Sequence, residues 1–145
     1  MLTMQYIAGF FDGEGNVRLR RTFSKASNHW FIRAEMGIAN VYQPILEEIQ
    51  SQLGGKIRKR QNKHRPIYFL YWSSLDDIKR IVKSLRPYLI IKAPQADLLI
   101  NYLDRHSSSE RSRLTSDDWA LVDKMTEYNL KLHYQVNKPI TKYQL

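Results

Sequence analysis

The stretch Ile7-Ala8-Gly9-Phe10-Phe11-Asp12-Gly13-Glu14-Gly15 decides the fold that we predict for this chain. Its first half, with the residues just before it, is apolar almost all round, which indicates a buried helix, and the glycines that follow end this helix. Gly9 and Gly13 lie four residues apart on one helix face, so the backbone of a second helix can approach closely there. Because acidic residues are unfavourable at a helix C-terminus, Asp12 and Glu14 indicate more than a helix end.

The remainder of the chain repeats one order of elements, strand, strand and helix. Residues 16–23 and 30–38 alternate apolar and polar, and a helical stripe runs from about residue 42 to Gly54-Gly55. A second hairpin over 56–60 and 67–72 and a helix over 74–85 repeat this order before Pro87 ends it. Further helices are predicted over about 94–105 and 115–130, with a loop over 107–112 and a loosely held tail to residue 145.

This order predicts an α+β fold. We expect an αββαββα core with a curved antiparallel four-stranded sheet, helices on one of its faces, and extra C-terminal helices. The 145 residues suit one domain, with residues 1–105 as its core and 106–145 as a C-terminal helical extension of the same domain.

The sheet face without helices is predicted to be cationic. The chain carries a formal net charge of +9, which favours a polyanionic partner. Period-two spacing places six basic residues and one acidic residue on that face, and the turn after the third strand adds three more basic positions. The strand residues are Arg18, Arg20, Arg33, Glu35, Lys56, Arg58 and Arg60, and the turn residues are Lys63, His64 and Arg65. Arginine binds phosphates and the O6 and N7 atoms of guanine, so we expect double-stranded DNA as the partner, with RNA left open.

The stretch quoted above resembles the signature of the LAGLIDADG homing endonuclease family. Four of its positions match the signature outright and the others are close substitutions, the matches being Ala8, Gly9, Asp12 and Gly15. The elements that follow the motif also come in the family's order, over about residues 6–103. Because the chain contains one motif, the resemblance implies the single-motif, homodimeric branch.

The resemblance implies an active site at the end of the motif helix. Glu14 takes the position of the family's acidic metal ligand, where Asp is usual, and Gly13 would offer its backbone carbonyl to the metal. Asn40 falls where relatives carry a residue that orients the water shell, and Lys92 where a basic residue faces the scissile phosphate. Glu14, Asn40 and Lys92 are therefore the catalytic candidates, while Asp12 is expected to support the helix end.

The resemblance also implies the reaction and the assembly. Two chains would pair through Tyr6, Gly9 and Gly13 and cut both strands of a long duplex target by metal-dependent phosphodiester hydrolysis, leaving short 3′ overhangs. Mg²⁺ is the expected cofactor, with Mn²⁺ as a substitute and Ca²⁺ supporting binding without cleavage. No organic cofactor and no membrane partner are expected, and the protein is expected inside the cell, in a prokaryotic cytoplasm or an organelle with its own genome.

Two other classes of function remain open at this point. The same fold serves RNA maturases and DNA-binding regulators that have lost cleavage, and the presence of Glu14 favours the enzyme. An unrelated α+β RNA-binding module would stack bases on exposed aromatic residues, for which Tyr68 and Tyr71 are candidates. The chain has no cysteine, which excludes thiolate nucleophiles and cysteine-based zinc sites, and its four histidines are scattered.

Overall fold

A helix and a β-hairpin alternate twice along the chain, and further helices follow. The computed structural model describes residues 1–106 and 113–137. The α-helices of this part are α1 (Met4–Glu14), α2 (Gln43–Leu53), α3 (Leu75–Leu85), α4 (Ala93–Arg105) and α5 (Ser116–Asn137), with a short 3₁₀ turn over Arg86–Tyr88. The strands are β1 (Gly15–Ser24), β2 (His29–Asn40), β3 (Lys56–Arg60) and β4 (Ile67–Trp72). The predicted α+β class and αββαββα order are confirmed.

The four strands form one antiparallel sheet in the order β1-β2-β4-β3. The second strand of each hairpin lies in the centre, where Ile38 of β2 pairs with Leu70 of β4. On the outer sides, Ile38 pairs with Gly15 of β1, and Leu70 pairs with Ile57 of β3. This register places the end of β2 beside the start of β1, and hence beside the end of α1.

One face of the sheet forms the core with the helices. Strand residues such as Leu19, Met36 and Leu70 are fully buried. The helices cover them with the apolar stripes that the sequence predicts, including Leu46 and Ile49 of α2 and, on α3, Ile78, Ile81, Val82 and Leu85. Each such side chain contributes on the order of 1.5–3 kcal/mol by burial, so the apolar pattern fixes which sheet face is covered.

Helix α1 ends within the stretch Asp12-Gly13-Glu14-Gly15, where the sequence predicts its end. Its N-terminus is capped by the Thr3 side chain, and the helix runs through Gly13 and ends at Glu14. Gly15 alone terminates it, with its N–H bonded to the Phe11 carbonyl. A Cβ on Gly15 would lie 2.5 Å from the Phe11 ring, so the absence of a side chain there is required by packing within the chain.

Helix α5 covers the outer edge of the sheet. Its start carries reciprocal bonds in which the Thr115 N–H donates to Asp118 Oδ2 (2.8 Å) and the Asp118 N–H donates to Thr115 Oγ1 (3.3 Å). The predicted end at Leu130 is wrong, because the helix continues to Asn137. No proline or glycine lies between Ser116 and Pro139, so nothing in the sequence stops the helix earlier. The predicted loop over 107–112 and the end of the predicted tail, residues 138–145, lie outside the described residues.

Candidate active site and nucleic-acid interface

The buried carboxylate of Asp12 joins the end of α1 to the segment that precedes α4. Asp12 is 8% exposed, and its two oxygens accept the backbone N–H groups of Ile90 (2.8 Å) and Lys92 (3.0 Å). The side-chain ammonium of Lys92 donates in turn to the backbone carbonyl of Asp12. Two hydrogen bonds from Lys92 and one from Ile90 therefore hold this segment against the end of α1, although Asp12 and Lys92 lie 80 positions apart. The structure supports the expectation that Asp12 stabilises the helix end.

Lys92 is half-buried between α1, α4 and β1. Burial lowers the pKa of Lys92 below its usual range, and the negative charges of Asp12 and Glu14 oppose this shift only in part. Because the Lys92 ammonium bonds the Asp12 carbonyl and Glu14 follows two residues later, these two candidate catalytic groups lie at the same end of the motif helix. A lysine in such a position can neutralise a phosphate and can exchange a proton more readily than a fully solvated lysine.

Glu14 is the last residue of α1, and its side chain is exposed. The Gly13 carbonyl belongs to the last helical turn, where carbonyl groups lack partners within the helix. These oxygen donors suit a hard divalent cation such as Mg²⁺. Within the described residues of one chain, however, no group of three or more acidic, histidine or cysteine side chains could hold a metal. Asp12 is already engaged by two N–H groups, so Glu14 is the carboxylate left at this end of the helix.

Asn40 is the last residue of β2, and the sheet register brings it to the same end of the sheet as Gly15. Its side-chain oxygen accepts the N–H of Tyr42 at 2.8 Å, which shapes the turn into α2. The nitrogen of the same amide is left to face other groups. Asn40 therefore has a structural role in addition to the predicted catalytic role.

The register places every predicted strand residue of the cationic surface on the face opposite the helices. Arg18 pairs with Glu35 and Arg20 with Arg33 across β1 and β2, while Lys56, Arg58 and Arg60 occupy alternate positions of β3. All of them except Lys56 line a groove of about 740 Å³ along the sheet. We call this set of residues the cationic face. Arg65 lies outside it, in the exposed loop between β3 and β4.

The opposed arginines of the cationic face indicate a polyanionic ligand. Arg20 and Arg33 lie directly opposite each other on neighbouring strands, an arrangement of like charges that costs stability. Glu35 offsets part of this repulsion through an ion pair with Arg20 at 3.3 Å. A surface that retains opposed arginines at this cost is better explained by binding than by solubility.

Aromatic side chains of β4 lie among the arginines. Of the two residues predicted to be able to stack on bases, Tyr68 and Tyr71, the first does not face the arginines. Tyr68 pairs with Asn40 and Lys59 on the helix side of the sheet and packs against the core, so it cannot stack on a base. Phe69 and Tyr71 lie on the cationic face instead, and the Arg58 guanidinium covers both rings at 5.2 and 5.7 Å from their centres. Because Arg58 occupies the stacking surfaces, the alternative of an RNA-binding module is weakened further.

The outer face of α1 is exposed. Space for a Cβ is open at both Gly9 and Gly13, with no atom within 4 Å. Tyr6 on this face is 50% exposed, and Ile90, beside the end of the helix, is 82% exposed. No sequence pattern had indicated that residue 90 would be an exposed apolar residue. Unlike Gly15, the two open glycines are not required by packing within the chain.

None of the helices in the described part of the chain has the length and apolar content of a membrane span.

Comparison with known proteins identifies the motif and the fold. The sequence profile of the LAGLIDADG endonuclease family matches residues 7–102 of the chain. No curated protein sequence matches it. The solved structure of the homing endonuclease I-CvuI in complex with the I-CreI target is similar, with a TM-score of 0.72 and 18% identity over 95% of this chain and 96% of that chain.

Two further structures show the same fold. The archaeal intron-encoded homing endonuclease I-Vdi141I, complexed with DNA, gives a TM-score of 0.62 at 16% identity over 88% of this chain and 96% of that chain. I-SmaMI, bound to uncleaved DNA in the presence of calcium ions, gives 0.60 at 17% identity over 99% of this chain but only 48% of that chain. This chain thus corresponds to nearly the whole of I-CvuI and to about half of I-SmaMI.

Proposed function

This chain belongs to the LAGLIDADG endonuclease family, and on that premise we propose that it is a site-specific homing endonuclease that cuts both strands of a long DNA target. The observation that carries the proposal is the position of Glu14 beside Lys92 at one end of the cationic face. Cleavage proceeds by metal-dependent phosphodiester hydrolysis and leaves short 3′ overhangs. Residues 1–105 form the core and 106–145 an extension of the same domain, and the protein works where its target genome lies, in a prokaryotic cytoplasm or an organelle.

The cationic face binds the duplex. Its arginines neutralise phosphates and release counterions, and some of them read base edges. The positive charge of this face comes from Arg18, Arg20, Arg33, Lys56, Arg58 and Arg60. Arg65 contacts the duplex from the loop between β3 and β4, and Glu35 can accept a hydrogen bond from a cytosine amine. Because aromatic rings hold the Arg58 guanidinium in one place, this side chain is preorganised for a directional contact.

The end of α1 carries the chemistry. Glu14 and the Gly13 carbonyl hold Mg²⁺, for which Mn²⁺ substitutes, while Ca²⁺ supports binding without cleavage. A bound divalent ion supplies a more acidic water and neutralises charge on the phosphate. Lys92, fixed by Asp12, donates a hydrogen bond to the scissile phosphate and stabilises the negative charge that develops there. Asn40 orients water through its free amide nitrogen.

Two copies of the chain form the working enzyme. One chain provides a single Glu14, whereas cutting two strands requires two sites. The open positions at Gly9 and Gly13 let the α1 helices of two chains approach closely, with Tyr6 at the rim. This pairing brings both Glu14 carboxylates to the centre of one continuous DNA-binding surface.

A gel assay on one cognate duplex tests the chemistry. The target is selected first, by wild-type cleavage of a randomised duplex pool in Mg²⁺. Glu14→Gln removes a charge and nearly preserves shape, so we expect binding to survive in Ca²⁺ while cleavage in Mg²⁺ falls by several orders of magnitude, roughly 10³-fold or more. Lys92→Met should lose less, on the order of 10–100-fold, because the metal still assists the reaction.

Glu47→Gln is the matched control, since it removes an exposed carboxylate of α2 away from the site. It should cut like the wild type. Near-normal cutting by Glu14→Gln would remove the metal role from that residue. If the wild type binds duplexes of the randomised pool but cleaves none of them, the protein is a maturase-like or regulatory binder.

A further inference from the structure

Gln95 is a deeply buried polar side chain whose oxygen is unpaired. It lies in the first turn of α4 and is 1% exposed. Among residues 1–106 and 113–137, none donates a hydrogen bond to its side-chain oxygen. Leaving a buried amide oxygen without a partner destabilises the folded state, so such groups in folded proteins usually bond ordered water or a ligand.

The reason that Gln95 lacks a partner lies in the start of α4. A glutamine three residues after the N-cap commonly accepts the N–H of the N-cap residue, which here is Lys92. Asp12 takes this N–H instead, at 3.0 Å. The same carboxylate that fixes Lys92 therefore leaves the Gln95 oxygen available to another donor.

Gln95 and Lys92 line one cavity between the outer edge of β1, the start of α4 and the side of α5. Its volume is about 530 Å³, and Thr126 and Asn129 form its α5 wall. Asn129 closes this wall onto the sheet, because its amide donates to the Val17 carbonyl at 3.0 Å. A cavity of this size with several polar groups has room for more than one water molecule.

We infer that this cavity holds an ordered water that donates to Gln95 and accepts a hydrogen bond from Lys92, which makes Gln95 a positioning residue for the lysine. The inference rests on the proposed function of Lys92. A lysine ammonium has three N–H donors. One bonds the Asp12 carbonyl, a second is directed at the scissile phosphate, and the water accepts from the third. With two donors fixed, the direction of the remaining one is fixed as well.

Stability of the DNA-free protein tests the hydrated site without reference to cleavage. Gln95→Leu replaces the amide by an apolar group of similar size, and Gln95→Met, of similar length, is measured in parallel. If water bonds Gln95, both variants leave that water short of a partner, and the urea midpoint should fall. If the amide is simply unpaired, the apolar variants remove its desolvation cost and should be at least as stable as the wild type. Leu98→Met, on the same helix outside the cavity, should leave the midpoint nearly unchanged.

Single-turnover cleavage tests the positioning role. With saturating enzyme and Mg²⁺, Gln95→Leu should cleave on the order of 10–100-fold more slowly, while the DNA dissociation constant in Ca²⁺ stays within about twofold. In a Lys92→Met background the same substitution should have little further effect, because the group that it positions is gone. Gln95→Glu keeps acceptor oxygens and should cleave faster than Gln95→Leu.

The outcomes separate the two proposals. A Gln95→Leu protein as stable as the wild type overturns the hydrated site. A loss of cleavage that is undiminished in the Lys92→Met background, or no loss at all, overturns the positioning role. Failure of the wild type to cut any duplex of the randomised pool overturns the proposed function, and the stability comparison still decides the hydrated site.

Discussion

The glycines of the motif helix face different neighbours, so one kind of substitution can separate packing within the chain from packing between chains. A Cβ on Gly9 meets no atom within 4 Å. Alanine is favoured over glycine inside a helix by about 1 kcal/mol, so Gly9→Ala should stabilise an isolated chain by that amount. A Cβ on Gly15 would lie 2.6 Å from the Phe11 carbonyl oxygen. Gly15→Ala should therefore destabilise the chain by about 1–3 kcal/mol or more.

Assembly should respond in the opposite way. If the α1 helices of two chains pack against each other at Gly9, an added methyl group separates them at a cost of about 1–3 kcal/mol, which weakens the dimer roughly 5-fold to 150-fold. Gly9→Leu, with a much larger side chain, should be monomeric. Sedimentation equilibrium would give the mass against 17.2 kDa for one chain. Urea midpoints at several protein concentrations would show whether unfolding is coupled to dissociation.

Either of two results would contradict pairing of two chains through α1. One is a Gly9→Leu protein that sediments as a dimer with the wild-type dissociation constant. The other is a wild-type protein whose mass equals one chain with and without DNA. In either case the open face of α1 would serve another contact, and double-strand cleavage by two Glu14 sites would need a different assembly.

Two further predictions concern the DNA face and the C-terminal helix. Arg58→Ala should cost about 1–3 kcal/mol in binding and relax specificity at one base pair if Arg58 reads a base, as measured by titration of the cognate and single-mismatch duplexes at several salt concentrations. Burial alone would raise the pKa of Asp118, but hydrogen bonds from Thr115 and the nearby His106 lower it overall. The ionised Asp118 carboxylate stabilises the fold above the pKa of this group in the unfolded chain, and this contribution is lost as the pH falls below about 4. The melting temperature should therefore fall more steeply between pH 7 and pH 3 for the wild type than for Asp118→Asn.

Much of the fold follows from short-range patterns. The alternation of apolar and polar residues in β1 and β2 follows the period of a strand, and the apolar stripe of α3 follows the period of a helix. Neither period depends on the rest of the chain. The cationic face was predictable for the same reason, since period two alone places Arg18 and Arg20 on the same side. Strand order has no comparable local signal, and it is the order β1-β2-β4-β3 that leaves β1 at an edge for α5 to cover.

The details of the candidate site depend on contacts between distant residues. The tie between Asp12 and Lys92 spans 80 positions, and no periodicity connects them. The placement of Arg58 over Phe69 and Tyr71 depends on the register of β3 with β4. The Gln95 side-chain oxygen lacks a partner because Asp12 accepts the Lys92 N–H. The usual capping box at a helix N-terminus would have paired that N–H with Gln95.

In the proposed enzyme, Asp12 fixes the position of Lys92 relative to helix α1 of the same chain. Its two hydrogen bonds to the segment before α4 involve a charged acceptor and are strong for their type. They make α1 and Lys92 one rigid unit, so the separation of Glu14 from Lys92 belongs to the fold of a single chain. The separation of two such units belongs to the contact at Gly9 and Gly13. In the proposed enzyme, the placement of Lys92 relative to Glu14 would therefore be an intrachain property, whereas the stagger between the two cuts would be set by how closely the helices of two chains approach.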